Sequence, residues 1–220
     1  MATTEVELCN LALFKVRATE IGDLNEQSVN AEKCRVLYPQ VRKTVLTDAV
    51  WGFAKSTRAL SLTGNTPEEW EYEYNYPNDC LKLLYLVPPG VSKATVRHGL
   101  TLNNTEVEHL PYETMNNTSG DLVIATNQEN AKAAFIKAVT DVRLFDAKFE
   151  EALILKLAAE LAIPLGGDSG KKYRDDALRG YFDAIEVAKA NSANEQWPRL
   201  KQQRPREIQA RRAGVYTRTI

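Results

Sequence analysis

Histidine, methionine and cysteine are scarce here: two, two and three residues in a chain of 220. Cys9, Cys34 and Cys80 are odd in number, far apart and without CxxC spacing. That argues against a disulfide framework and for free thiols in a reduced compartment. His98 and His109 have no metal-ligand spacing, so they read as satisfied or solvent-exposed side chains, and no metal or cofactor is expected. No Gly-x-Ser-x-Gly elbow or Cys/His arrangement for nucleophilic catalysis stands out. A long uncharged apolar run is also missing. The most apolar stretch, 147–163, is short for a bilayer and holds Lys148, Glu150, Glu151, Lys156 and Glu160. Each of these charges costs about 2.5–3.5 kcal/mol at the membrane centre. No basic region followed by an apolar core opens the sequence, so no secretory leader is expected. The sequons at 116–119 then read as a polar turn.

What remains is ordinary globular material, 44% hydrophobic and 26% charged, long enough for one sizeable core divided into two lobes. The net charge of −1 hides an asymmetry. Residues 196–220 hold seven Lys/Arg against the single acid Glu207, giving +6, which leaves −7 on the other 195 residues. An acidic body with a basic tail invites contact between the tail and something acidic, such as another subunit.

The organising stretch is 145–168, FDAKFEEALILKLAAELAIPLGGD. Asp146 suits an N-cap, Glu150 and Glu151 favour the positive end of the helix dipole, and Pro164 is expected to end the helix before Gly166 and Gly167. Phe149, Leu153, Leu157 and Leu161 form one i,i+4 spine, and Ala152, Leu155, Ala159 and Ala162 a second. A helix this apolar is expected to be buried on several sides.

Upstream, Thr4 and Glu7 form a capping-box pattern before Leu8, Leu11, Ala12 and Phe14, predicting a helix over 4–18 with a break at 21–23. Ser28 caps a second helix running to about Ala49, with Pro39 predicting a kink or a junction. Its apolar positions Val36, Leu37, Val41, Val45, Leu46 and Val50 include a usable core stripe, and a buried aromatic corner is expected to follow at 51–54. The period then drops to two. Trp70, Tyr72, Tyr74 and Tyr76 alternate with Glu71, Glu73 and Asn75, predicting a strand with one buried face. Further strands are expected at 80–87, 91–98, 100–110 and 121–126. Residues 131–139 have helical propensity. A short turn at 142–145 precedes the organising helix, and a last helix spans about 171–190, with Tyr173, Ala177, Tyr181, Ile185 and Lys189 on one line and Leu178, Phe182 and Val187 widening the face.

Three chemistries compete for attention. The run 165–172, LGGDSGKK, superficially resembles a phosphate loop, but Leu165 stands where the first Gly belongs, Lys172 where the Ser/Thr belongs, and it follows a helix. Glu68, Glu69, Glu71 and Glu73 could supply a glycosidase carboxylate pair. Alternating with aromatics, they read better as the solvated face of a strand. The strongest candidate is the tail: Arg199, Lys201, Arg204, Arg206, Arg211, Arg212 and Arg218, mostly the residue suited to bidentate recognition of carboxylate or phosphate. Trp197 and Tyr216 supply apolar anchors. A solubilising tail is the bland alternative. A DNA-binding module is another, set against the acidic body and the lack of a recognition-helix or zinc-finger motif.

Three stretches resemble, in the same order, the tail tubular protein A family, the head-to-tail adaptors of short-tailed, double-stranded-DNA bacteriophages. They are LYPQVRKTVLTDAVWGFA (37–54) with its W-x-F-A corner, WEYEYNYPNDCL (70–81) and LFDAKFEEALILKLAAELAIPLGGD (144–168). The resemblance implies an α+β fold: a helical bundle lobe from 1–57 and 140–193, an inserted small antiparallel β lobe from 58–139, and an extended basic C-terminal tail from 194–220. It also favours strand over helix for 131–139. It implies a structural, non-enzymatic virion component at the head–tail junction, made in the host cytoplasm. Subunits would form a dodecameric ring between the portal protein and the tail nozzle protein. Genomic DNA would pass through its channel without sequence-specific binding, no membrane would be involved, and C-terminal segments would engage the portal. A virion-associated cell-envelope glycan hydrolase is the competing enzyme reading.

Overall fold

The computed structural model describes residues 4–87 and 110–195, with side chains to residue 191. Two N-terminal and two C-terminal helices flank a small antiparallel β region, a mixed α/β fold. The first helix, α1 (Glu5–Lys15), starts with the capping box: the Glu7 amide donates to the Thr4 hydroxyl, and the Thr4 amide to the Glu7 carboxylate. It stops three residues earlier than expected. Arg17 adopts φ +58°, its N–H donates to the Phe14 carbonyl and that of Ala18 to Leu13, so the last carbonyls are satisfied in a Schellman turn.

In α2 (Val29–Asp48) Ser28 accepts from the Ala31 amide, and the helix runs without interruption through Pro39. Pro39 is exposed, so the carbonyl it leaves without an intrahelical partner can turn to water. The buried stripe is Ala31, Cys34, Tyr38, Val41, Val45 and Leu46. Of the six apolar positions noted in the sequence, Val41, Val45 and Leu46 supply that stripe, while Val36 is 57% exposed and Leu37 and Val50 are half-buried. The aromatic corner forms as expected around the 3₁₀ turn Gly52–Ala54. Trp51 is buried and its indole N–H donates to the Val45 carbonyl at 2.8 Å.

Among the described residues six strands follow: β1 (Lys55–Ala59), β2 (Tyr72–Asn75), β3 (Cys80–Val87), β4 (Glu113–Asn116), β5 (Leu122–Thr126) and β6 (Lys132–Lys137). They make two antiparallel three-stranded sheets, ordered β1-β6-β3 and β2-β5-β4. β1 and β4 have no counterpart in the sequence reading, while the expected strand at 91–98, and that at 100–110 except for its last residue, lie outside the described residues; Leu110 is not in a strand. β6 resolves the ambiguous 131–139 as a central strand. Ile136 on one face packs into the helical core, while Ala133 and Phe135 on the other pack with Leu86 of β3 and with Tyr74 and Ile124 of the second sheet. With both faces covered, β6 has no polar alternation to display, which is why its sequence resembles a helix.

The organising helix, α3 (Ala147–Leu165), is capped by Asp146, whose carboxylate accepts the Phe149 amide at 2.7 Å. It continues one residue past Pro164, which is exposed. Phe149, Leu153, Leu157 and Leu161 are all fully buried, as are Ala152, Ala158 and Ala162. Helices α1 and α2 pack on α3, and α4 (Gly170–Glu195) packs antiparallel along it, joined by the turn at 166–169. α4 buries Ala177, Tyr181, Ala184, Ile185 and Ala188. Phe182 and Val187, expected to widen that face, are exposed, because the ordered contacts follow the alanine-rich side that lets the helices approach closely. α4 also extends five residues beyond the expected end.

Candidate functional site

The first turn of α3 borders two open grooves. On one side, Leu11, Phe14 and Lys15 of α1 face Glu150, Glu151 and Ile154 across about 310 Å³. On the other, the corner Val50–Gly52 faces Asp146, Lys148, Ala188 and Asn191 across about 210 Å³. Ala147 lines both. Trp51, which lines the second groove, belongs to a ring cluster: Phe149 meets Trp51 at 5.1 Å, Phe53 at 5.2 Å and Phe145 at 4.6 Å, all steeply tilted, as aromatic quadrupoles prefer.

The first groove exists because α1 has more apolar surface than it can bury. Leu8, Cys9, Ala12 and Leu13 face the core, which turns Leu11 and Phe14 outward. Phe14 is 81% exposed and Leu11 49%. Their helical spacing places both on α1 without saying which side of it is buried. The available signal was that α1 is apolar around nearly its whole circumference, more than one buried stripe requires. The rim is acidic. Glu151 pairs with Lys148 at 3.1 Å, both about half exposed, and Glu150 has no ion-pair partner among the described residues. Such an exposed pair contributes little and leaves the carboxylates open to a further cation.

The tail residues singled out from the sequence, Trp197, Arg199, Lys201, Arg204, Arg206, Arg211, Arg212, Tyr216 and Arg218, lie outside the described residues, as do His98 and His109. The phosphate-loop lookalike is a helix–helix turn. A Cβ on Gly166 would sit 2.4 Å from the Ala162 carbonyl oxygen, and one on Gly170 2.6 Å from the same atom. Those glycines serve close backbone approach between α3 and α4.

The carboxylate reading needs one correction. Glu73 is not on a solvated face; it is 4% exposed and accepts from the Asn65 side-chain amide at 3.2 Å. Strands β2 and β4 both pair with β5, and Glu73 and Glu113 both stand opposite Ala125. The two carboxylates thus share one sheet face at about two strand spacings, roughly 9.6 Å between backbones. Glu113 accepts from the Trp70 indole at 3.2 Å. Each carboxylate therefore has a protein donor, and each hydrogen bond ties a loop to the sheet. Glu68, Glu69 and Glu71 are exposed, as expected.

Two of the cysteines, Cys9 and Cys34, are buried neighbours on α1 and α2, both free. The contact with Cys34, and burial after it, push the Cys9 thiol far above its ordinary range, so it stays protonated and unreactive. Cys80 is free and half-buried, its thiol 3.2 Å from the Tyr76 hydroxyl. Among the described residues no group of three or more His, Cys, Asp or Glu could hold a metal ion, and no helix is long and apolar enough to cross a membrane. In comparisons with known proteins, no family model and no curated protein matches the chain.

Proposed function

We propose that this chain is a head-to-tail adaptor of a short-tailed bacteriophage, a structural subunit of a dodecameric ring between the portal protein and the tail nozzle protein. The three ordered stretches at 37–54, 70–81 and 144–168 support the family reading. The observation that carries it is apolar surface left on outward helix faces. Leu11 and Phe14 of α1 stand three residues apart, and Val29 and Val36 of α2 seven apart, so each pair falls on one face of its helix. Paired exposed residues of this kind are suited to burial against copies of the same subunit, and obligate interfaces commonly cover about 2,000–5,000 Å².

In this reading the β region is a small lobe inserted in a helical lobe, and 194–220 is an extended arm whose arginines and Trp197 fasten the ring to the portal. Ordering such an arm costs free energy, and repetition around the ring offsets it. Acidic residues of the body, where they face the channel, repel the phosphates of passing DNA and reduce sticking during ejection, and the DNA passes without sequence-specific binding. The subunit acts in the virion, at the head–tail junction. Electron microscopy of the purified chain, with and without portal rings, tests this. Annular complexes are expected when portal is present. Their absence from every mixture of virion parts overturns the reading.

A further inference from the structure

Of the six phenylalanines, Phe14 and Phe182 are the exposed two, and they stand on different flanks of the helical core. The buried row Ala177, Tyr181, Ala184 and Ala188 turns α4 toward α3. On one flank of that row Gly180 lies against α3, where a Cβ would sit 3.2 Å from the Leu155 side chain. Glu151 stands one turn before Leu155 on the same line of α3, so the groove lined by Leu11, Phe14 and Glu151 opens on this flank. Phe182 follows Gly180 by two residues, about 200° around the helix. It belongs to the opposite flank, where Tyr181, its ring 5.7 Å from that of Phe182, donates its hydroxyl to Asp48 at the end of α2. A subunit therefore cannot seat Phe182 in its own groove. We propose that the groove between α1 and α3 receives the Phe182 face of α4 from a second copy of this chain, so that the contact runs head to tail from subunit to subunit.

The two faces complement each other in shape of polarity and in charge. Leu11, Phe14 and Ile154 supply the apolar side of the groove, and Leu178 and Phe182, four residues apart, form the ridge that enters it. Beside the groove, Glu150 and Lys15 have no ion-pair partner among the described residues. Arg179 and Asp175, three and seven residues before Phe182 on its side of α4, have none either. Docking sets Arg179 against Glu150 and Asp175 against Lys15, so four unpaired charges each gain a partner of opposite sign. On the far side of Phe182, Glu186 and Lys189 already pair with each other at 2.9 Å. A contact of groove with groove would instead close at two copies and gather four carboxylates, Glu150 and Glu151 of each. The choice of the unlike face rests on the ring reading above, since head-to-tail contacts are what generate rings.

The test uses full-length chain carrying Phe182→p-benzoylphenylalanine, half of it labelled with nitrogen-15, at high micromolar concentration, alone and with portal rings. Phe182 is exposed, so the fold tolerates the larger photoreactive ring. After illumination, mass spectrometry is expected to find position 182 joined to Leu11, Phe14 or Ile154 of a differently labelled chain. Glu150→Arg should lower that yield about threefold to tenfold, and adding Arg179→Glu to the same chain should restore it, a rescue that mere destabilisation would not show. Links to α4 of another copy, to any other surface or confined to one chain overturn the proposal. So does the absence of any link, or a yield that the charge swap does not move. The ring reading fails separately: annular particles whose links lie elsewhere sink this contact and leave the ring, while groove links without annular particles support the contact and sink the ring.

Discussion

Replacing Phe149 by alanine removes the side chain at which the N-terminal corner meets the organising helix. Phe149 is fully buried and touches three other rings, Trp51, Phe53 and Phe145, at centroid distances of 5.1, 5.2 and 4.6 Å. Truncating a buried Phe to Ala costs about 3–5 kcal/mol through lost transfer energy and the cavity left behind. Each ring pair adds about 0.5–1.5 kcal/mol, but the same lost atoms underlie both figures, so the sums overlap. The expected loss is therefore about 4 kcal/mol, a large share of the roughly 5–15 kcal/mol typical of a folded domain. Phe149→Leu keeps most of the volume and removes only the ring contacts, so about 1–2 kcal/mol is expected. Urea unfolding followed by tryptophan fluorescence and by far-ultraviolet circular dichroism gives the midpoint and slope. For both variants the midpoint should fall with the slope unchanged. A loss below about 1.5 kcal/mol for Phe149→Ala, or equal losses for the two variants, would show that the ring cluster does not join the two ends of the helical core in the way its geometry implies.

Other consequences can be checked separately. Gly170→Ala places a Cβ 2.6 Å from the backbone carbonyl of Ala162 and should destabilise by about 1–3 kcal/mol, read as a lowered thermal midpoint; an unchanged midpoint means the α3–α4 turn can relax at no cost. The Ser28 hydroxyl, and then the Gly22 amide, hold the Glu26 carboxyl below its ordinary 4.5. Its stabilising contribution is therefore present above that value and lost as the pH falls through its lower folded value, so Glu26→Gln should flatten the stability curve on the acid side of 4.5. Parallel curves for the two proteins would refute that linkage. Removing 196–220 should leave the circular dichroism of the body intact and abolish portal capture in a pull-down; undiminished capture would refute the docking role of the basic segment. No reducing sugar should be released from cell-envelope glycan by the protein, and release that disappears in Glu71→Gln and Glu73→Gln would establish the hydrolase reading instead.

Local rules written into the sequence were enough for the parts of this protein that are governed by near neighbours. The capping box at Thr4, the caps at Ser28 and Asp146, the leucine spine of α3 and the strand at 80–87 depend on residues within a turn or two of each other, and spacing alone reports them. The resemblance favoured a strand at 131–139, although local propensity pointed to a helix there. Tertiary packing decided the rest. Whether Leu11, Phe14 and Phe182 lie inside or outside depends on which side of each helix another element reaches first, and several sides of an apolar helix look equally eligible. Glu73 is buried because the Asn65 loop folds over β2, an event remote from the alternation that marked it for solvent. The two grooves beside the first turn of α3 are likewise invisible in the chain order, since their walls come from residues near 14, 51, 150 and 190, and only the packing of three helices around a fourth brings them to one place.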